Sequence, residues 1–349
     1  MKKSLMKKSL LLVSAWAAWG AASLAWSFEP LPDAPPVPAD NPMSAAKVAL
    51  GQQLYFDKRL SVDGTVSCNS CHSVMGSGTD NRPVSVGVGG KKGGRNAPTV
   101  WNSAFLSVQF WDGRAATLED QAKGPIVNPV EMGMHSPADA EERIRAIPGY
   151  VSQFEAVFGT RDPVTYDNIA KAIAAYERTL LTPHSPFDRY MKGDKTALSE
   201  QALRGMKTVE RIGCTACHTG PDFAGPNMPA GQGFYQKFPI FVANNPYVAK
   251  YRLMEDEGRF NVTHEASDKN LWRVQTWRNV ALTAPYFHTG SVPTLDEAVR
   301  VMARSQLGKT LTEAEVEDIV AFLNSLTGEF PAQNMPRLPQ TPNRTLTAE

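Results

Sequence analysis

The chain has 349 residues, of which 42% are apolar and 20% charged, with a formal charge of +1 at neutral pH. That length allows two domains of ordinary size, and the composition is that of a soluble globular protein. The near-neutral balance gives no footing to a nucleic-acid or membrane-surface partner.

Residues 1–27 read as an export signal, with basic "MKKSLMKKSL" followed by apolar "LLVSAWAAWGAASLA". Cleavage is expected after Ser23-Leu24-Ala25 or Ala25-Trp26-Ser27. The competing reading is an anchor retained on the mature chain. The run is short and broken by Ser14, Gly20 and Ser23, and no other stretch is long enough to span a bilayer. Losing Lys2, Lys3, Lys7 and Lys8 takes the formal charge from +1 to −3.

Residues 28–43 form a proline-rich, extended entry. "SAAKVALGQQLYFDKRLS" predicts a helix with Leu50 and Leu54 one turn apart. Residues 74–98 hold seven glycines and predict an irregular loop, which at that length calls for a functional reason or a cofactor to pack on. "VTYDNIAKAIAAYERTLL" places Ile169, Ala172, Ile173, Tyr176 and Leu180 on one helical stripe. "TPHSPFDRY" breaks the pattern and reads as a linker. A second unit then begins with "LSEQALRGMKTVERIGCTACH". "LTEAEVEDIVAFLNSLTG" predicts a helix opened by a Thr312/Glu315 capping box and closed by Gly328. Its buried face is expected to be Val316, Ile319, Val320 and Leu323. Long strand-like alternation is absent, so the chain is mainly α. The units are placed at 44–181 and 182–335, with a tail at 336–349.

Four cysteines in an exported chain would ordinarily suggest two disulfides. They stand instead as Cys68/Cys71 and Cys214/Cys217, each pair followed at once by a histidine, His72 and His218. Two thiols a helical turn apart can form thioethers with the vinyl groups of a haem, and the adjoining histidine can reach its iron. A four-cysteine zinc site or two redox disulfides are the alternatives. Neither explains a histidine at the same offset twice.

Met302 is a candidate second ligand for the second iron, where a thioether opposite histidine suits electron transfer. Glu131 and Gln121 lie among prolines and apolar residues, where a desolvated carboxyl could shuttle a proton between the oxygens of peroxide. Trp111 could be an electron stepping stone.

These segments resemble the bacterial dihaem cytochrome c peroxidases, with MauG-type enzymes as more distant relatives. The resemblance runs from about residue 45 to 335 through "RNAPT", "QFWDGRA", "EDQAKGP", "NPVEM", "SPFDRY", "WRNVALTAPYFHTGSV" and "MARSQLG". It implies two cytochrome c-like haem domains packed around an interface, each with a covalently bound haem c. Cys68, Cys71 and His72 would hold a peroxidatic haem, and Cys214, Cys217, His218 and Met302 an electron-transfer haem. Glu131 and Gln121 match the family's distal pair, and Trp111 its tryptophan between haems. A calcium ion is implied near Asn96 and the carbonyls of Thr283 and Pro285, an oxygen-only set. A periplasmic homodimer is implied, reducing hydrogen peroxide to water with electrons from a small cytochrome c or cupredoxin.

One position departs. Where the family often carries a distal histidine in "S-x-G-H", this chain has Ser85-Val86-Gly87-Val88. Valine cannot bind iron, so the first iron is expected to be open without reductive activation, unless His135, Met75, Met132 or Met134 caps it. His184, His264 and His288 are expected to be structural or surface groups. MauG-like oxidation of a protein is disfavoured because those enzymes carry tyrosine in place of Met302. A non-enzymatic dihaem carrier would leave Glu131 and Gln121 without a purpose.

Overall fold

The computed structural model describes residues 28–341; the expected export signal lies outside the described residues, as does the end of the tail. The first unit opens with α1 (Ala45–Phe56), started by Ser44, whose hydroxyl accepts from the Lys47 amide. A single turn, α2 (Cys68–Cys71), carries the first cysteine pair. The glycine-rich stretch that follows is irregular, as expected, apart from a 3₁₀ turn at Val88–Gly90. Then come α3 (Leu118–Val127), α4 (Pro137–Arg145), α5 (Pro148–Phe158) and α6 (Tyr166–Glu177). The anticipated stripe on α6 is buried throughout, including Leu180 just beyond its end.

The second unit repeats the plan. Its first element, α7 (Pro186–Met191), falls where a linker was expected. Ser185 caps it in a reciprocal box with Asp188, and Phe187 and Asp188 are both fully buried. There follow α8 (Glu200–Ile212), α9 (Pro246–Lys250), α10 (Phe260–Thr263), α11 (Leu295–Leu307) and α12 (Glu313–Asn324). Between them, β1 (Tyr235–Lys237) and β2 (Leu271–Arg273) pair antiparallel with Gln236 opposite Trp272. The Thr312/Glu315 capping box on α12 is present. Phe322, rather than Val320, completes its buried face, and Val320 is half-buried. The helix ends at Asn324, and Gly328 serves a different purpose: a Cβ there would overlap the carbonyl of Thr182.

The duplication is plainest in the helix crossings. A Cβ on Gly51 in α1 would overlap the carbonyl of Ala172 in α6. A Cβ on Gly205 in α8 would likewise overlap the carbonyl of Asp318 in α12. Each unit is therefore closed by two helices touching backbone to backbone at one glycine, which frees the rest of the unit to wrap a cavity.

The two units exchange arms. Phe28 inserts its ring among Phe187, Phe223 and Phe322 of the second core at 5.8–5.9 Å. The Leu31 amide donates to Asp188 Oδ1 at 2.9 Å. The chain then crosses to the first unit, where Asn41 donates to Glu119 Oε1 at 2.7 Å. From the other end, Phe330 meets Trp101 edge to face at 5.0 Å, and Arg59 donates to the Pro339 carbonyl at 3.0 Å. Asp188 is also the partner of Arg278 at 2.8 Å, an ion pair with both side chains essentially inaccessible.

Arg95 ties the seam further, reaching Asp112 in its own unit and Asp256 in the other, each at 2.6 Å. The Asp256 carboxyl is half desolvated, which raises its pKa. Its bonds to Arg95 and to the Gly258 amide more than offset this and hold it below the ordinary value of 3.8.

Two consequences can be measured. Gly205→Ala should lower unfolding stability by at least the ~1–3 kcal/mol of ordinary overpacking. Gly76→Ala, whose added Cβ meets nothing within 4 Å, should leave the denaturant midpoint nearly unchanged. Arg95→Met should destabilise the protein at pH 7, because a carboxyl with a depressed folded pKa contributes stability only above its unfolded value. The gap between parent and variant should close as pH falls below about 3.8; a gap independent of pH would contradict this.

Candidate active site

One continuous cavity of about 770 Å³ runs between the units. His72 and Cys71 line it, as do Cys214, Cys217, His218 and Met302. Met302 is carried there by α11.

Each histidine is held in the same manner. His72 Nδ1 donates to the Pro98 carbonyl and His218 Nδ1 to the Phe223 carbonyl, both at 2.9 Å. A carbonyl only accepts, so the proton sits on Nδ1 and Nε2 keeps its lone pair, the form in which imidazole binds metals. Burial lowers the pKa of both rings, that of His218 to about 4, which keeps them neutral.

The four thiols are unpaired. Burial raises the pKa of each, to about 12 for Cys214, the opposite of a reactive redox pair. Among the described residues no three metal-binding side chains of the His, Cys, Asp or Glu type gather.

Five cavity-lining residues, Ser85, Ser103, Glu177, His288 and Gln306, each carry a fully buried polar atom with no protein partner. Burial pushes the Glu177 carboxyl up to about 8. Unpartnered buried polar atoms are uncommon in folded proteins, and a large bound group with polar substituents would meet them. The paired cysteines, the free Nε2 atoms and these orphaned groups fit two haems.

On the first-unit side the cavity is lined by Gln121 from α3 and by Asn128, Val130 and Glu131 from the turn after it. Asn128 builds that turn: its Oδ1 accepts from the Val130 amide and its Nδ2 donates to Glu131 Oε1 at 2.8 Å. Burial raises the Glu131 pKa, and the Arg114 charge and the Asn128 bond only partly oppose it.

Val88 is not among the lining residues. Its amide donates to the Glu131 carbonyl at 2.9 Å, while its side chain is 4% exposed and packs in the first core. A Cβ on Gly133 would lie 2.8 Å from Val88 Cγ2 and 3.1 Å from Val62 Cγ1, which places valine and valine together on that side. The side chains considered as alternative caps are elsewhere too. Met132 and Met134 are buried in the core, and Met75 and His135 are exposed.

Between the two ends lies Trp111. Its indole N–H donates to the Asn96 carbonyl at 2.8 Å, and its ring meets Trp272 and His288 edge to face at 6.4 and 6.2 Å. His288 stacks on Trp272 at 4.1 Å and is 2% exposed, while His184 and His264 are exposed. Asn96, Thr283 and Pro285 line the same cavity. The Asn96 backbone and Nδ2 are all engaged, which leaves Oδ1 as its available oxygen. Asn81 of the first unit donates to the carbonyls of Leu282 and Ala284 at 2.9 and 2.8 Å, fixing the segment that carries the two carbonyls. Sequence reasoning missed Arg95, Trp272, Trp277 and Glu177 as parts of this cavity; three of them lie in segments the sequence singled out, but nothing local says that their side chains meet in one cavity until the fold assembles them.

Residues 45–196 match the family model described as di-haem cytochrome c peroxidase. The chain is 47% identical to cytochrome c551 peroxidase of Pseudomonas aeruginosa, covering 91% of this chain and 89% of that one. It is 42% identical to cytochrome c551 peroxidase of Nitrosomonas europaea over 99% and 98% of the two chains. Methylamine utilization protein MauG of Methylorubrum extorquens is more distant, at 31% over 88% and 86%. Among solved structures, a MauG-like protein associated with microbial copper homeostasis superposes with a TM-score of 0.73, at 31% identity over 89% of this chain and 96% of that one. Likeness at that level runs through both units and the seam between them, and the chain belongs to the bacterial dihaem cytochrome c peroxidases, a peroxidase oxidoreductase.

Proposed function

We propose that this protein works in the periplasm as a peroxidase whose first haem, held by Cys68, Cys71 and His72, is open to hydrogen peroxide in the fully oxidised state. Cys214, Cys217, His218 and Met302 hold the second haem. A small cytochrome c or cupredoxin supplies the electrons, and Trp111 lies on their route. When bound, the haems supply an iron with a free position for peroxide and a second iron that stores and passes electrons.

The observation that carries this reading is the composition of the cavity wall. Glu131 and Gln121 share the cavity with His72, while Val88, Met75, Met132, Met134 and His135 do not line it. Glu131 takes a proton from one peroxide oxygen and returns it to the other, which departs as water. Two electrons and two further protons turn the remaining oxygen into a second water. The Gln121 amide orients the peroxide by hydrogen bonding. Asn128 holds the Glu131 carboxyl in place, and Arg114 keeps it from being protonated too readily. Asn96 Oδ1 with the Thr283 and Pro285 carbonyls offers calcium the hard oxygen donors it prefers, at a point where both units meet. The homodimer and the domain limits at 44–181 and 182–335 belong to the same proposal. Export is supported by the sequence of residues 1–27, and among the described residues no helix is long and apolar enough to cross a membrane.

Glu131→Gln should lower peroxide turnover by about 10²–10⁴-fold with two haems still attached. In the parent, the basic form of Glu131 is lost as pH falls through a value above the ordinary 4.5. kcat/KM for peroxide should therefore decline on the acid side with that apparent pKa, and the limb should be missing in the variant. Unchanged turnover would remove Glu131 from its role.

The open-site reading predicts that the oxidised parent reacts with peroxide in stopped flow without prior reduction, and that its first haem gives a high-spin EPR signal. Val88→His should convert that signal to low spin and make peroxide turnover depend on partial reduction. A parent whose first haem is already low-spin and inert to peroxide would overturn the reading and favour a dihaem electron carrier.

A further inference from the structure

The two histidines share one restraint and differ in another. Each has its Nδ1 pinned to a carbonyl at 2.9 Å, which leaves the ring free to rock about that bond. The His218 ring is also stacked on the indole of Trp277, with centroids 4.3 Å apart and planes 20° from parallel. No ring lies against His72 among the described residues' aromatic contacts.

Trp277 is itself tightly held. It stacks on Phe223 at 5.5 Å and 21°, and meets Phe322 of α12 edge to face at 6.4 Å. Its sequence neighbours fasten the backbone on both sides. Thr276 donates to the Asp222 carbonyl at 2.6 Å, and Arg278 donates through Nε to the Pro221 carbonyl at 2.8 Å. The segment 221–223 therefore supplies both the carbonyl that holds His218 Nδ1 and the surface against which Trp277 rests. The ring of His218 is fixed in position and in plane by one rigid corner of the second unit.

We propose that Trp277 is a positioning residue for His218: by stacking on the imidazole it sets the ring plane at the second iron, and with it the ligand field and potential of that haem. The proposal rests on the reading of His218 as an iron ligand. Groups outside the ligands tune a metal centre through ligand orientation, and flat rings prefer the offset stacking seen here. An iron that only passes electrons gains from ligands that do not move between its two oxidation states. The His72 iron must accommodate substrate and carries no such clamp.

Volume and aromatic stacking can be separated in the haem-loaded protein with Trp277→Phe and Trp277→Met, both apolar fillers. The readouts are the EPR g-values of the oxidised second haem and its midpoint potential. Haem content per chain and the first-haem signal serve as controls. Trp277→Phe should keep the g-values and midpoint near those of the parent, whereas Trp277→Met should broaden and shift the low-spin signal and displace the midpoint. The two variants behaving alike, whether both unchanged, both displaced or both without the second haem, would overturn the proposal. His218→Gly separates the underlying reading: if the second low-spin signal survives in that variant, the ligand assignment has failed, rather than the role of Trp277.

Discussion

The hydrogen bond from each histidine Nδ1 to a backbone carbonyl is the constraint from which the rest of the site follows. It fixes the tautomer, and so leaves Nε2 as the nitrogen available to a metal. It also means that the site is no better ordered than the segment supplying the carbonyl. For His218 that segment is 221–223, fastened within its own unit by Thr276 and Arg278. For His72 it is the stretch ending at Pro98, and its fastenings come from both units: within the first, Asn96 Nδ2 donates to the Arg82 carbonyl and Trp111 donates to the Asn96 carbonyl. The Asn96 amide donates to the His288 carbonyl, and Arg95 reaches Asp256. The first histidine is thus oriented in part through the seam, which gives the contact between units a chemical consequence beyond stability.

The exchanged arms serve the same end. Each unit packs a core of its own beside the cavity of about 770 Å³. Placing Phe28 in the second core and Phe330 against Trp101 in the first adds apolar contact between each end of the chain and a unit distant in sequence. The backbone-close helix crossings at Gly51 and Gly205 close each unit. Neither device involves a residue that touches the cavity.

Much of this was legible in the sequence because it depends on spacing. The α6 stripe, the α12 capping box and the two Cys-x-x-Cys-His segments each lie within a short window, and local rules read them well. What was missed depends on partners distant in sequence. "TPHSPFDRY" looks like a linker because two prolines and a serine interrupt a pattern. The same serine caps α7, and Asp188 is stabilised by Arg278, 90 residues away. Val320 and Phe322 exchange places in the α12 face because Phe28, from the other end of the chain, extends the core toward Phe322. Arg95 and Trp277 stand in the segments "RNAPT" and "WRNVALTAPYFHTGSV", yet their place in the cavity, like that of Trp272, follows only from the fold.

Val88 combines both kinds of information. Its identity is local and visible, whereas its effect depends on where the loop rests. The loop is bonded to the Glu131 carbonyl through the Val88 amide, and a Cβ on Gly87 would collide with the same turn at Val130 and Glu131. The backbone at 87–88 and the turn bearing Glu131 therefore form one packed piece. A valine gains roughly 1.5–3 kcal/mol by burying its side chain beside Val62, which favours this arrangement. An imidazole in that apolar niche would lose its hydrogen bonds to water with no partner in exchange. It would draw the loop off the turn and toward any group that could take its lone pair. On this reasoning the residue at 88 acts less by supplying or withholding a ligand than by deciding, through its polarity, whether the loop stays packed behind Glu131 or leaves it.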